Sequence, residues 1–365
     1  MRIVVNDIVA VPQSGGVYSI LEDFYKEVCE FNKQFKSVEW IFILSDTYFE
    51  ETDQIKIIKK SEIKRSWLKR LNFEFFSGRK LINSLAPDIY ISLQNTMTLG
   101  IKAQNKWTYL HQPLPYQREM KFSPFNKSER KLWIYQNIVG KVINFTLKHS
   151  NTKVIVQTHW MKDAVLNNKL TRTEDIYILP PKINRIHNDV RSNHVNMASF
   201  FYPATGMAYK NHKLLFEASD ILEKKGYKFN VYCTLTSEEL NTLNLKVPNS
   251  VHCLGRISRN EVMNRYKTEV LVFPSLIETF GLPILEAAMS NDFIIIGNTS
   301  FGREILAEYK NKVFYDVKSV NDLVDKMEHC IKREYKISGS AMEIKEKKSV
   351  IDLILNSGKV VTNND

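Results

Sequence analysis

The stretch whose reading decides the fold is "EVLVFPSLIETFGLPILEAAMSN", residues 269–291. "EVLVFPS" is an apolar run of buried-strand type, ended by Pro274 and Ser275. "LIETFG" is then the loop beyond the carboxyl end of that strand, and "PILEAAMSN" reads as the helix after it. Gly281 can take backbone angles closed to other residues and lets a ligand come close. Pro283 suits the first helical turn, where its missing N–H costs nothing. Around the turn, the N–H groups of Phe280, Gly281 and Leu282 form an anion cradle at a helix N-terminus. Glu278 and Glu286 flank it. A carboxylate repels a phosphate, so its use beside one is to accept hydrogen bonds from hydroxyls. The pattern therefore suggests a nucleotide-sugar diphosphate on the amides, with the two glutamates gripping hydroxyls on its two sides. The plain alternative, an acid complementing the helix dipole, covers Glu286. It does not account for Glu278, the glycine and the proline together.

Strands alternate with helical patterns on both sides of this stretch. The first half offers "RIVVNDIVAV", "EWIFILSD", "DIYISLQ", "KWTYLHQ", "TKVIVQT" and "DIYILPP" as strands, with "VYSILEDFYKEVCEF" and "HWMKDAVLNN" as helices. The second offers "NMASFFYPATG", "KFNVYCTL", "SVHCLGR", "EVLVFPS", "DFIIIGN" and "KVFYD" as strands. Its helices are "KNHKLLFEASDILEKKG", ended by Gly226, "RNEVMNRYKT", "PILEAAMSN" and "SVNDLVDKMEHCIKR". Such alternation predicts α/β architecture with parallel, doubly wound sheets. Two Rossmann-like domains follow: 1–180, then a Pro-started polar linker over 181–196, then 197–335, with a helical tail over 336–365. Ligands in such sheets sit beyond the carboxyl ends of the strands.

Composition narrows the class. A chain of 365 residues with 44% hydrophobic and 25% charged residues can bury ordinary cores. No apolar run approaches the roughly 20 residues of a membrane span, and Asp7 and Pro12 interrupt the N-terminus before a signal-peptide core could form. Cys29, Cys233, Cys253 and Cys330 show no CxxC pair, which fits a reducing cytoplasm. The net charge of +11 is regional: residues 54–180 hold 22 Lys/Arg against eight Asp/Glu, whereas residues 1–53 hold four against ten. The excess concentrates in "KIIKKSEIKRSWLKRLNFEFF", residues 56–76, and "REMKFSPFNKSERKLWIYQ", residues 118–136. Basic residues interleaved with aromatic ones suit an anionic membrane surface, nucleic acid or a solvated face. The acidic N-terminal segment and the lack of any nucleic-acid motif weigh against nucleic acid.

At "PSLIETFGLPILEA" the sequence resembles the E-x7-E signature of the retaining glycosyltransferases of family 4, the group 1 glycosyl transferases of GT-B fold. The resemblance extends over nearly the whole chain. It implies two Rossmann-like domains facing across a cleft and a final helix that crosses back to the N-terminal domain. It implies that Glu278 contacts the transferred sugar, that Phe280, Gly281 and Leu282 supply amides, and that Glu286 binds the nucleotide ribose. "YPATGMAYKNHKLL" resembles the family loop whose lysine, here Lys210, neutralises the diphosphate. A cation there stabilises the leaving group as negative charge builds on it. The arginine often found shortly before that lysine is missing, which leaves Lys210 alone or helped by another cation such as Arg256. Gly15 and Gly16 fall where the family has a loop over the donor phosphates, although the pair lacks a GxGxxG spacing. His111, in "YLHQPLPY", resembles a histidine facing the donor sugar.

No D-x-D, Walker A or G-x-S-x-G motif occurs, and no His/Cys/carboxylate cluster has ligand spacing. The expectation is therefore a cytoplasmic hexosyltransferase that needs no metal or other cofactor. It would move sugar with retention from a nucleotide-sugar donor to a saccharide acceptor. The basic-aromatic region points to a lipid-linked acceptor at the inner membrane face, as in capsule, O-antigen or exopolysaccharide biosynthesis. A nucleotide-sugar epimerase and a non-catalytic GT-B accessory subunit are the alternatives.

Overall fold

The computed structural model describes residues 1–12, 16–118, 120–127, 129–181, 195–337, 341–342 and 349–356. Strand boundaries follow from the apolar runs. In the first unit, β1 (Arg2–Asp7), β2 (Glu39–Leu44), β3 (Ile55–Lys59), β4 (Ile89–Ser92), β5 (Asn105–Tyr109), β6 (Lys153–Val156) and β7 (Ile176–Ile178) form one sheet. Its order is β3-β2-β1-β4-β5-β6-β7, and every pairing is parallel. A parallel sheet is covered on both faces, so its strands read as near-continuous hydrophobic runs. β1, β2 and β4 are buried throughout or nearly so.

Edge strand β3 was not legible as a strand. "IKIIK" mixes lysine with isoleucine inside the basic segment, yet it pairs with β2, with Ile57 opposite Phe42. Charge on a sheet edge blocks pairing with further chains. The rest of that segment forms the short helices Ser61–Lys64 and Trp67–Asn72 and the π-turn Phe73–Ser77.

In the second unit, β8 (Asn196–Tyr202), β9 (Asn230–Cys233), β10 (Val251–Cys253), β11 (Glu269–Phe273), β12 (Ile294–Gly297) and β13 (Lys312–Tyr315) are again parallel, in the order β10-β9-β8-β11-β12-β13. Helix His212–Lys224 ends before Gly226, whose φ of +84° is the left-handed geometry that terminates helices. Helices Ser237–Leu243 and Ser300–Ile305 are too short to leave a clear period in the sequence.

The first unit gathers the described residues of Met1–Tyr116, Tyr135–Ile183 and Glu346–Asp365, and the second those of Gln117–Ile134 and Asn184–Lys345. The second basic-aromatic segment thus groups largely with the second unit. Residues 182–194, within the expected linker, lie outside the described residues. The tail returns to the first unit. Ile351 and Ile354 of helix Val350–Asn356 are buried among Leu21, Phe24 and Val28 of helix Gly16–Gln34, and Ser349 donates to Glu27. No described helix is long and apolar enough to cross a membrane.

At the carboxyl end of β1, Asp7 is fully buried, and burial lifts its carboxyl to about 7 despite Lys64, Arg70 and the Ala10 amide. A folded-state pKa above the unfolded value means that the folded state holds the extra proton between about pH 4 and pH 7, so this contribution to stability falls as pH rises through that window. Asp7→Asn removes it. The melting temperature of the variant relative to wild type is expected to climb from acid to neutral pH, and a difference that stays constant across the window would contradict the assignment.

Candidate donor site

The second sheet reverses its winding between β8 and β11, which pair directly, Phe200 opposite Val270 and Phe201 opposite Leu271. Loops leaving the carboxyl ends of two such strands diverge and open a crevice, the usual ligand position in these sheets. The loop after β8 carries Lys210 and the loop after β11 carries Glu278. Their side chains meet in an ion pair, Lys210 Nζ on Glu278 Oε1, with 16% and 15% of the two side chains exposed. Burial opposes charge on Lys210, but the carboxylate more than offsets it and holds the ammonium above its usual range.

Both loops are pinned. The buried Tyr202 hydroxyl donates to Lys210 O at 2.8 Å, and Leu276 N donates to Tyr209 O at 2.8 Å. Asn211, at φ +57°, turns the chain into helix His212–Lys224. On that helix His212 is buried beside Lys210, and burial lowers its pKa to about 3, so it adds no charge at neutral pH.

Gly281 has φ +79° and is the N-cap of helix Leu282–Met289, with proline in the first turn. A Cβ on it would lie 2.8 Å from Ile284 Cδ1. The amides of Gly281 and Leu282 donate to no acceptor among the described residues. Glu286, on this helix, is buried. Burial raises its pKa, and Arg259 opposes the rise through a 2.6 Å contact from Nη2 to Oε1.

The expected residues of the second unit are thus on one rim: Lys210, Glu278, Phe280, Gly281, Leu282 and Glu286 all belong to the β8 and β11 loops or the helix after them. His111 belongs to the first unit, after β5, where burial lowers its pKa to about 4. Its backbone N–H donates to Asn95 Oδ1 at 2.7 Å, and Asn95 Nδ2 lies 3.3 Å from the ring Nε2. Gly16 opens helix Gly16–Gln34, and Gly15 lies outside the described residues.

Arg256 pairs with Glu239. Its Nη2 lies 2.6 Å from Glu239 Oε1, the atom that also accepts from Gly206 N at 2.8 Å. Burial would raise the Glu239 carboxyl, but these donors and the Thr236 amide hold it below its usual range. Glu239 thus ties Arg256 to the loop that ends in Lys210. A Cβ at Gly206 would fall 2.5 Å from Glu239 Cβ, so the loop tolerates only glycine there. Glu239 and Arg259 were missed in the sequence. A capping-box pattern, "TSEE", was the one signal for Glu239.

Residues 191–348 match the family model described as glycosyl transferases group 1. No curated protein matches the sequence. Among solved structures, the chain is similar over 91% of its length, and 90% of the other's, to sucrose-phosphate synthase from Thermosynechococcus elongatus, at 12% identity and a TM-score of 0.63. It is similar to the lipopolysaccharide outer core galactosyltransferase WaaB in its apo form over 92% of both chains, at 16% identity and 0.58. Similarity to Anabaena Alr3699/HepE in complex with UDP-glucose covers 92% of this chain and 90% of that one, at 14% identity and 0.57. At these identities the likeness establishes the fold, which is GT-B.

Gly281→Ala tests the turn. A residue with a Cβ is strained at positive φ and would also meet Ile284 here, so a loss of roughly 1–3 kcal/mol is expected in denaturant unfolding. An unchanged midpoint would mean that the turn does not hold this geometry.

Proposed function

From the match of residues 191–348 to the glycosyl transferases group 1 family model, we propose that the chain moves a hexose from a nucleoside-diphosphate sugar to a saccharide hydroxyl, with retention at the anomeric carbon. The observation that carries this reading is the Lys210–Glu278 pair at the sheet's switch point, beside the unpartnered amides of Gly281 and Leu282. A diphosphate is a stronger partner for Lys210 than a single carboxylate. On binding it takes over the ammonium and the amides, and Glu278 is released toward the sugar hydroxyls. Glu286 then accepts from the ribose diol. As the glycosidic bond breaks, Lys210 and the amides stabilise the charge left on the diphosphate, and the departing phosphate helps deprotonate the acceptor. This chemistry needs no divalent metal.

A panel of UDP, GDP, dTDP and their sugars identifies the donor, because a ligand held at 100 times its Kd adds about 2.7 kcal/mol to apparent stability. With that donor, Lys210→Ala and Glu278→Ala are each expected to lower turnover by about 100-fold or more, Glu286→Ala to act mainly on donor affinity, and EDTA to leave the rate unchanged. Near-wild-type transfer by both of the first two variants would remove the site assignment. Net epimerisation of donor alone would favour an epimerase, and failure of the wild type to consume any donor an accessory subunit.

The acceptor we place on a lipid carrier at the inner membrane face. Trp67, Leu68 and Phe76 are 44%, 77% and 61% exposed on a stretch that also carries Lys64, Arg65, Lys69 and Arg70. Aromatic and leucine side chains exposed among cations fit the interface of an anionic bilayer. Sedimentation with phosphatidylglycerol vesicles at low salt is expected to carry the protein down. Wild type that stays in solution there, or a Trp67→Ser, Leu68→Ser, Phe76→Ser variant that binds equally well, would contradict this surface.

A further inference from the structure

Glu286 has 8% of its side chain exposed, and among the described residues the one cation that reaches it is Arg259. Arg259 is the first residue of helix Arg259–Arg265. A cation at a helix start opposes the helix dipole, so the local sequence supplies no reason for an arginine there; the carboxylate opposite does. The Arg259 side chain is 64% exposed, and among the described residues no other acceptor takes the remaining N–H groups of its guanidinium. Glu286 Oε2 likewise has no partner among them.

The other titratable groups facing Glu286 offer no compensation. Tyr266, at the end of the same helix, is buried with an unpartnered hydroxyl, and it feels Asp292 as well as Glu286. A buried carboxylate left without a cation takes up a proton instead of staying charged. Once protonated, it offers a ribose diol one hydrogen-bond donor in place of a second acceptor.

We propose that Arg259 is a positioning residue of the donor site: it keeps Glu286 ionised, holds Oε1, and leaves Oε2 to accept from the ribose. This rests on the reading of the second unit as the donor site. It also separates Arg256, in the loop after β10, from Arg259, at the start of the helix after it. Arg256 is committed to Glu239 and the Lys210 loop, and Arg259 to Glu286.

Calorimetric titration tests this with whichever of UDP, GDP or dTDP binds the wild type. Affinities of Arg259→Met, Arg259→Lys and Glu286→Gln are measured relative to wild type at about pH 6 and about pH 8, so that titration of the nucleotide itself cancels. In Arg259→Met the Glu286 carboxyl titrates higher, and its ionised fraction grows with pH. Relative affinity is expected to fall about 10-fold at the lower pH and to recover most of that at the higher one. Arg259→Lys is expected to restore a flat profile, and Glu286→Gln to be weak at both. Wild-type affinity in Arg259→Met at both pH values overturns the inference. So does an equal loss at both, which would make Arg259 a direct ligand contact. A wild type that binds none of the three nucleotides overturns the donor-site reading, and this inference with it.

Discussion

The ion pair between Lys210 and Glu278 is the constraint around which the second unit is organised. Two charges largely removed from water cost several kcal/mol each to desolvate, and neither is tolerable without the other. Such a pair adds little net stability compared with an apolar packing of the same volume. Its position accounts for it better than its energy does. It closes the gap between two loops that the sheet topology forces apart, and the Tyr202 hydroxyl and the Leu276 amide hold those loops where the charges can meet. The result is a stored positive charge whose present partner an incoming anion can replace.

The acids and cations nearby follow the same logic at longer range. Glu239 accepts from Gly206 and Arg256, and Glu286 from Arg259. Three glutamates on three elements each hold a cation, and each lies on, or is tied to, a segment leaving the carboxyl end of a strand. In the first unit the corresponding level is buried and acidic. Glu74 sits in the π-turn with its pKa raised by burial, and accepts from Gln94, Thr96 and Thr98. The shared GT-B scaffold at 12–16% identity leaves substrate choice to such side chains.

Much of this was legible in the residues. Parallel strands buried on both faces announce themselves as apolar runs, so nearly every strand was found. Gly281 and Pro283 mark a turn by their own backbone chemistry, and the structure puts them at the start of a helix. What escaped detection depends on pairing across space. The strand Ile55–Lys59 carries the lysines of a sheet edge and lacks the continuous apolar signal. No periodicity could say that Arg259, 27 positions before Glu286, would be its counter-ion, or that Arg256 would be drawn to Glu239. The grouping of Gln117–Ile134 with the second unit likewise reflects packing and leaves no mark on local sequence.

The most direct test of the central claim is a crystal structure with the preferred nucleoside diphosphate bound. The account predicts phosphate oxygens within hydrogen-bond distance of Lys210 Nζ and of the Gly281 or Leu282 amides, with Lys210 released from Glu278. A nucleotide bound elsewhere while Lys210 still rests on Glu278 would contradict it.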